Sequence, residues 1–168
     1  MERTDNILVA VDGTEASLKA VTYVAQMVQG HDAIHICLFH VLPPIPPRLL
    51  EFGGAEDPQK ELMLSAELKT AQFEWIEKAK DSARPSLKTA HIILGDHGVS
   101  QDRISIHFSS PIHKPNVVRE VLEAAKQRHC GTVVVGRHRL PWVQELFHQH
   151  TGEGLVEKGQ ECSVWVIG

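Results

Sequence analysis

Apolar residues run almost unbroken through Asn6-Ile7-Leu8-Val9-Ala10-Val11. A continuous run this short predicts a strand buried on both faces of a parallel sheet, because a half-exposed strand would alternate. Asp12-Gly13-Thr14 breaks the run. The period then changes. Leu18, Val21, Val24, Ala25 and Val28 recur at helical spacing between Glu15 and Gln29, and Gly30 stands at a preferred left-handed stop. Ala33 to Val41 predicts a second buried strand. Four prolines in Pro43-Pro44-Ile45-Pro46-Pro47 exclude helix and central strand; a stiff extended loop is expected to about Pro58, either a lid over a crevice or, as favoured here, a plain connector.

Leu64, Leu68, Ala71, Trp75 and Ala79 form one stripe of a long helix over Gln59 to Ala83. Pro85 is expected to break or kink it, with helical spacing resuming from Leu87 to Leu94. Arg103-Ile104-Ser105-Ile106-His107-Phe108 alternates polar and apolar, as a half-covered strand near a sheet edge does. Asn116 is placed to cap an amphipathic helix with Val117, Val118, Val121, Leu122 and Ala125 on one face. Thr132 to Val135, ending at Gly136, predicts a fourth strand. Thr151 to Lys158 is a short helix candidate, and Cys162 to Ile167 a closing strand.

Strands and helices therefore alternate, which predicts an α/β fold: one doubly wound, five-stranded parallel sheet with helices on both faces. No linker divides the chain, so residues 1–168 read as a single domain. At 168 residues the chain can bury enough surface to fold without disulfides or metal. Cys37, Cys130 and Cys162 are odd in number and far apart, which suits reduced thiols. Cys37 and Cys162 read as small strand fillers and Cys130 as a helix-end residue; Trp75 and Trp142 read as packing residues.

Net charge is −4 and the basic residues are scattered, so a nucleic-acid partner is not expected. No apolar run reaches the about 18 residues of a membrane span. No secretory leader is visible, and a cytoplasmic protein is expected.

In an open doubly wound sheet, ligands bind beyond the carboxyl ends of the strands. That makes residues 10–14 and 136–140 the candidates. The dinucleotide fingerprint, the P-loop and the nucleophile elbow of the α/β-hydrolases are all absent from the sequence. What stands in their place is Ile7-Leu8-Val9-Ala10-Val11-Asp12-Gly13-Thr14-Glu15-Ala16-Ser17-Leu18-Lys19-Ala20, together with His40-Val41, Gly98-Val99, Gly131-Thr132-Val133-Val134-Val135-Gly136-Arg137-His138 and Cys162-Ser163-Val164-Trp165-Val166. These landmarks, in this order, resemble the universal stress protein family.

The resemblance implies strand order 3-2-1-4-5. It also implies a nucleotide site formed by Ala10, Val11 and Asp12 after the first strand, Val41 after the second, and Val135, Gly136, His138, Arg139 and Thr151 at and beyond the fourth. It further implies a homodimer joined through the closing strand at Val164, Trp165 and Val166, whose apolar edge carries no proline or charge. Nucleotide-binding members carry Gly-x2-Gly-x9-Gly-Ser/Thr after the fourth strand. Gly136 matches the first glycine, but Arg139 and Gln149 occupy the next two positions and His150 the last. ATP is therefore expected to bind weakly or not at all.

Each residue also has a plainer reading. Asp12 either contacts a nucleotide or caps the first helix with Glu15 in a capping box. Gly136 either admits a phosphate or ends a strand. Arg137, His138, Arg139, His148 and His150 either hold an anion or form a solvated basic loop. Thr151 either starts a phosphate-binding helix or is a simple N-cap. His148 and His150, two apart, do not share a helix face, so no metal site is expected. No nucleophile and base are recognisable, so the sequence does not read as an enzyme. A binding or regulatory module of the stress response is the first reading, with an unnamed protein partner. A slow ATP hydrolase and a purely structural dimerisation domain are the alternatives.

Overall fold

The computed structural model describes residues 5–50, 56–111, 117–137 and 162–168. In chain order the elements are β1 (Asn6–Ala10), α1 (Glu15–Met27), β2 (Ile36–His40), α2 (Pro58–Asp96), β3 (Ile104–Phe108), α3 (Val117–Gln127), β4 (Cys130–Gly136) and β5 (Ser163–Ile167). The five strands form one parallel sheet in the order β3-β2-β1-β4-β5.

The central strands are apolar because both their faces are covered. Ile7, Val9 and Val11 pack beneath α1 and α2, with Val21, Val24, Leu87 and Leu94. Leu8 and Ala10 point the other way, under α3, with Phe39, Val118, Val121, Val133 and Val135. Each fully buried aliphatic side chain contributes about 1.5–3 kcal/mol. β3 is an edge strand and is only half covered, as its alternating sequence predicts.

Several elements differ from the sequence-based expectation. The helix cap is Thr14, whose Oγ1 accepts the Ser17 N–H at 3.2 Å, and not Asp12. Glu15 is thus the first helical residue and pairs with Lys19 instead of closing a capping box. α1 stops at Met27, and Gly30 takes its left-handed conformation (φ 77°) in the following turn. β2 is shorter than the apolar run that predicts it. Cys130 opens β4 and does not end a helix.

The largest difference is α2, which runs unbroken through Pro85 for 39 residues. An interior proline costs about 3 kcal/mol through its missing N–H and ring clash. Here Ala83, Leu87, Ala90 and Leu94 bury one continuous face on both sides of it. That packing outweighs the local penalty. No residue of α2 before Ala83 is fully buried. Asn116, Trp142, His148, Gln149, His150 and the predicted helix from Thr151 lie outside the described residues, so the expectations placed on them do too.

Candidate functional site

The carboxyl ends of β1 and β2 open on a slot of ≈ 210 Å³. Ala10, Val11 and Asp12 form one wall, Phe39, Val41, Leu42, Pro43 and Pro44 another, and Val117 at the start of α3 closes the third. The sheet places them there because β1 and β2 pair in register from Ile7 with Ile36 to Ala10 with Phe39 and so end together. Backbone bonds continue past the strands. Val11 N–H donates to the Phe39 carbonyl at 2.9 Å, and Ser109 N–H to that of His40 at 3.0 Å. Buried Ser109 Oγ accepts the Leu42 N–H at 2.8 Å, which fixes the start of the proline-rich loop. That loop is therefore a wall of the crevice as well as a connector.

Asp12 is the one titratable group among the described lining residues. Its Oδ1 accepts from the Thr14 amide at 2.9 Å and the Thr14 hydroxyl at 2.6 Å. The carboxylate thus supports the residue that caps α1, in an Asx turn. Gly13 lies between them at φ +83°, and a Cβ there would come within 2.7 Å of Ser86 Oγ on α2. His40 Nδ1 is 2.7 Å from the Val11 carbonyl, and its ring meets Phe108 edge-on, so the ring joins three strand ends. In the first turn of α3, burial and then Glu123 push the Glu120 carboxyl above its usual range.

Gly136 has a clear packing role. A Cβ there would sit 2.3 Å from the Ala16 carbonyl carbon and oxygen. The first turn of α1 lies directly on the end of β4, and only glycine leaves it room. Val135 is fully buried beside it. The structure thus brings Ala10, Val11, Asp12 and Val41 into one slot and sets Val135 and Gly136 at the end of β4. His138, Arg139 and Thr151 fall outside the described residues.

A family model described as "Universal stress protein family" matches residues 3–168. The chain belongs to this family. No curated protein sequence matches it. Among solved structures, a universal stress protein family member from Burkholderia pseudomallei superposes with a TM-score of 0.63, at 16% identity, over 99% of this chain and 98% of that one. The universal stress protein from Archaeoglobus fulgidus in complex with dAMP gives 0.56, at 14% identity, over 99% and 100%. An Arabidopsis thaliana family member with AMP bound gives 0.51, at 16% identity, over 96% and 90%. At these identities the likeness shows a shared fold.

Within this universal stress protein fold, Pro43 and Pro44 belong to the run that reads as a lid or a connector, and the walls that sequence reasoning missed are Phe39, Leu42 and Val117. Strand ends and a loop composition could indicate them only once the register was known. Of the residues that brace the slot, His40 belongs to a sequence landmark, His40-Val41, whereas Ser109 carries no local signal.

Proposed function

We propose that this universal stress protein is a cytoplasmic binding or regulatory module of the stress response, whose crevice takes the nucleoside half of an adenine nucleotide and holds the phosphates weakly. The observation that carries this reading is the slot itself. It is walled mostly by apolar side chains, holds ≈ 210 Å³ and carries one carboxylate, Asp12, which suits a nucleobase and its ribose. The structures with dAMP and AMP bound give the reading its ligand class.

The phosphate half departs from the family pattern. Backbone amides of small residues bind phosphate closely. Arg139 and Gln149 put bulky side chains at two of those positions. Each lost hydrogen bond to a charged group costs about 1.5–3 kcal/mol. Asp12 is the residue that holds the nucleoside, and Arg139 decides what the phosphates contribute. The module works by binding, without turnover. A second copy pairs along the outer edge of β5 at Val164, Trp165 and Val166.

Calorimetry tests the site. The wild type binds Mg-ATP weakly, Asp12→Ala weakens binding about tenfold, which corresponds to about 1.4 kcal/mol, and Arg139→Gly tightens it. Sub-micromolar ATP affinity untouched by Asp12→Ala would place the site elsewhere.

A further inference from the structure

The opposite end of the sheet holds a second cavity, of ≈ 270 Å³, where the amino ends of β1, β2 and β4 meet the last turn of α3. Its chemistry is unlike that of the crevice. Arg128, His35 and His107 line it, with Ser105 at the exposed rim and the buried Cys37 and Cys130 thiols within. No carboxylate is among its described lining residues. Arg128 Nε is buried and has no hydrogen-bond partner among the described residues.

A buried N–H on a charged group is costly to leave unmade. Burial and then Arg128 hold His107 below its ordinary pKa, so the guanidinium reaches into this cavity beside a ring kept neutral. The volume exceeds the about 30 Å³ that one water occupies in the liquid by enough for a small solute. A guanidinium, two imidazoles and a hydroxyl converging without a carboxylate form a donor set for an anion.

We infer that this cavity is a second ligand site, anchored by Arg128 at the amino end of the sheet, which takes a small oxyanion of phosphate or carboxylate chemistry. Arg128 Nε supplies the central hydrogen bond and the imidazoles and Ser105 bound the site around it. A ligand there touches α3, β2 and β3 and stays clear of the crevice walls.

Nitrogen-edited NMR of the full chain reads the claim directly at the Arg128 Nε–H, assigned by its loss in Arg128→Lys. Inorganic phosphate and acetate are titrated separately against sodium chloride at matched ionic strength. The expected result is a saturable shift of the Arg128 Nε–H and of the His107 ring with phosphate or acetate, and none with chloride; whichever anion gives the tighter shift identifies the oxyanion. Ser105→Trp, which fills the cavity from its exposed rim, abolishes the shift. Asp12→Ala, in the crevice, leaves it intact. An equal shift with chloride, a shift that survives Ser105→Trp, or no shift at all overturns the proposal. A thermal melt of the same samples gives the second readout: the bound oxyanion raises Tm in wild type and not in Ser105→Trp, and equal Tm changes in both would contradict it.

Discussion

At the carboxyl ends of its strands the sheet opens on a slot of ≈ 210 Å³ walled by aliphatic, prolyl and aromatic side chains, with Asp12 at the rim. At the amino ends it opens on ≈ 270 Å³ lined by Arg128, His35, His107 and two thiols. One scaffold thus offers an apolar slot at one end and a cationic cavity at the other. The two ends are also fixed differently. Neutral contacts fix the crevice: Ser109 on Leu42, His40 on Val11, and helix α1 seated on Gly136. A charged clamp fixes the amino end. Buried Arg103 donates from Nε to the Ile34 carbonyl at 2.9 Å and from Nη2 to that of His31 at 2.7 Å, with Asp32 at 3.2 Å from Nη1. The lesson is that the strand ends, not the sheet interior, carry this protein's individuality.

The sharpest way to break the contrast is Gly136→Ala. Its Cβ would overlap the Ala16 backbone, which no side-chain rotation relieves. Urea unfolding should show a loss of about 3 kcal/mol, at the upper end of ordinary overpacking. A neutral result would mean that α1 does not seat on β4 as described.

Arg103→Met tests the charged clamp at the other end. Two carbonyls lose a charged donor, each bond worth about 1.5–3 kcal/mol. The Asp32 side chain is 95% exposed, so that pairing adds little. Asp32→Ala should therefore leave the melting midpoint almost unchanged while Arg103→Met lowers it clearly.

Ser109→Ala leaves the buried Leu42 N–H without its acceptor. The expected loss in a chemical melt is about 1–3 kcal/mol, and any nucleotide affinity falls with it because the Leu42–Pro44 wall loosens. Equal nucleotide affinity in this variant would show that the wall is held by the prolines alone.

Cysteine labelling sharpens the comparison further. The Cys130 hydrogen bond, and secondarily Arg128, holds the Cys37 thiol below its ordinary range, while burial pushes Cys162 up. Alkylation mapped by peptide should therefore titrate at lower pH for Cys37 than for Cys162. Cys130→Ala, which removes the donor, should raise the Cys37 value, and an unmoved profile would deny the thiol contact.

The smallest effect belongs to His107. Burial, and then Arg128, favours its neutral ring in the folded protein. The unfolded chain then binds that proton more readily. The stability His107 contributes is present above about pH 6.5, the ordinary imidazole value, and is lost as pH falls from there toward the lowered native value. His107→Gln should flatten the acid side of the stability curve. A curve of unchanged slope contradicts the assignment.

Much of the fold was legible because it is written in local pattern. The unbroken apolar runs of β1 and β4 report burial on two faces, and the alternation of β3 reports an edge. What escaped depends on contacts between distant residues. Pro85 breaks a helix by every local rule, and only packing on α1 and the sheet keeps α2 whole. Asp12 and Thr14 are both good caps, and only the backbone conformation at Thr14 chooses between them. Arg103 looks like a surface residue, yet its partners lie 69 to 72 positions earlier. The cysteines look unrelated in sequence. Strand order 2-1-4 and a shared side-chain parity bring Cys37 and Cys130 to one face, with Cys162 against the same cluster. In the crevice, Ala10, Val11 and Asp12 were readable from the strand ends and Val41 from the family resemblance, whereas Val117 needed the register of the sheet.

In this proposal the nucleoside half of the crevice supplies the affinity. Calorimetric titration of wild-type protein with adenosine, AMP and Mg-ATP measures that division directly. Weak affinities within about tenfold of one another are expected, because phosphates add less than about 1.4 kcal/mol. Tight Mg-ATP binding with no detectable adenosine binding would contradict it.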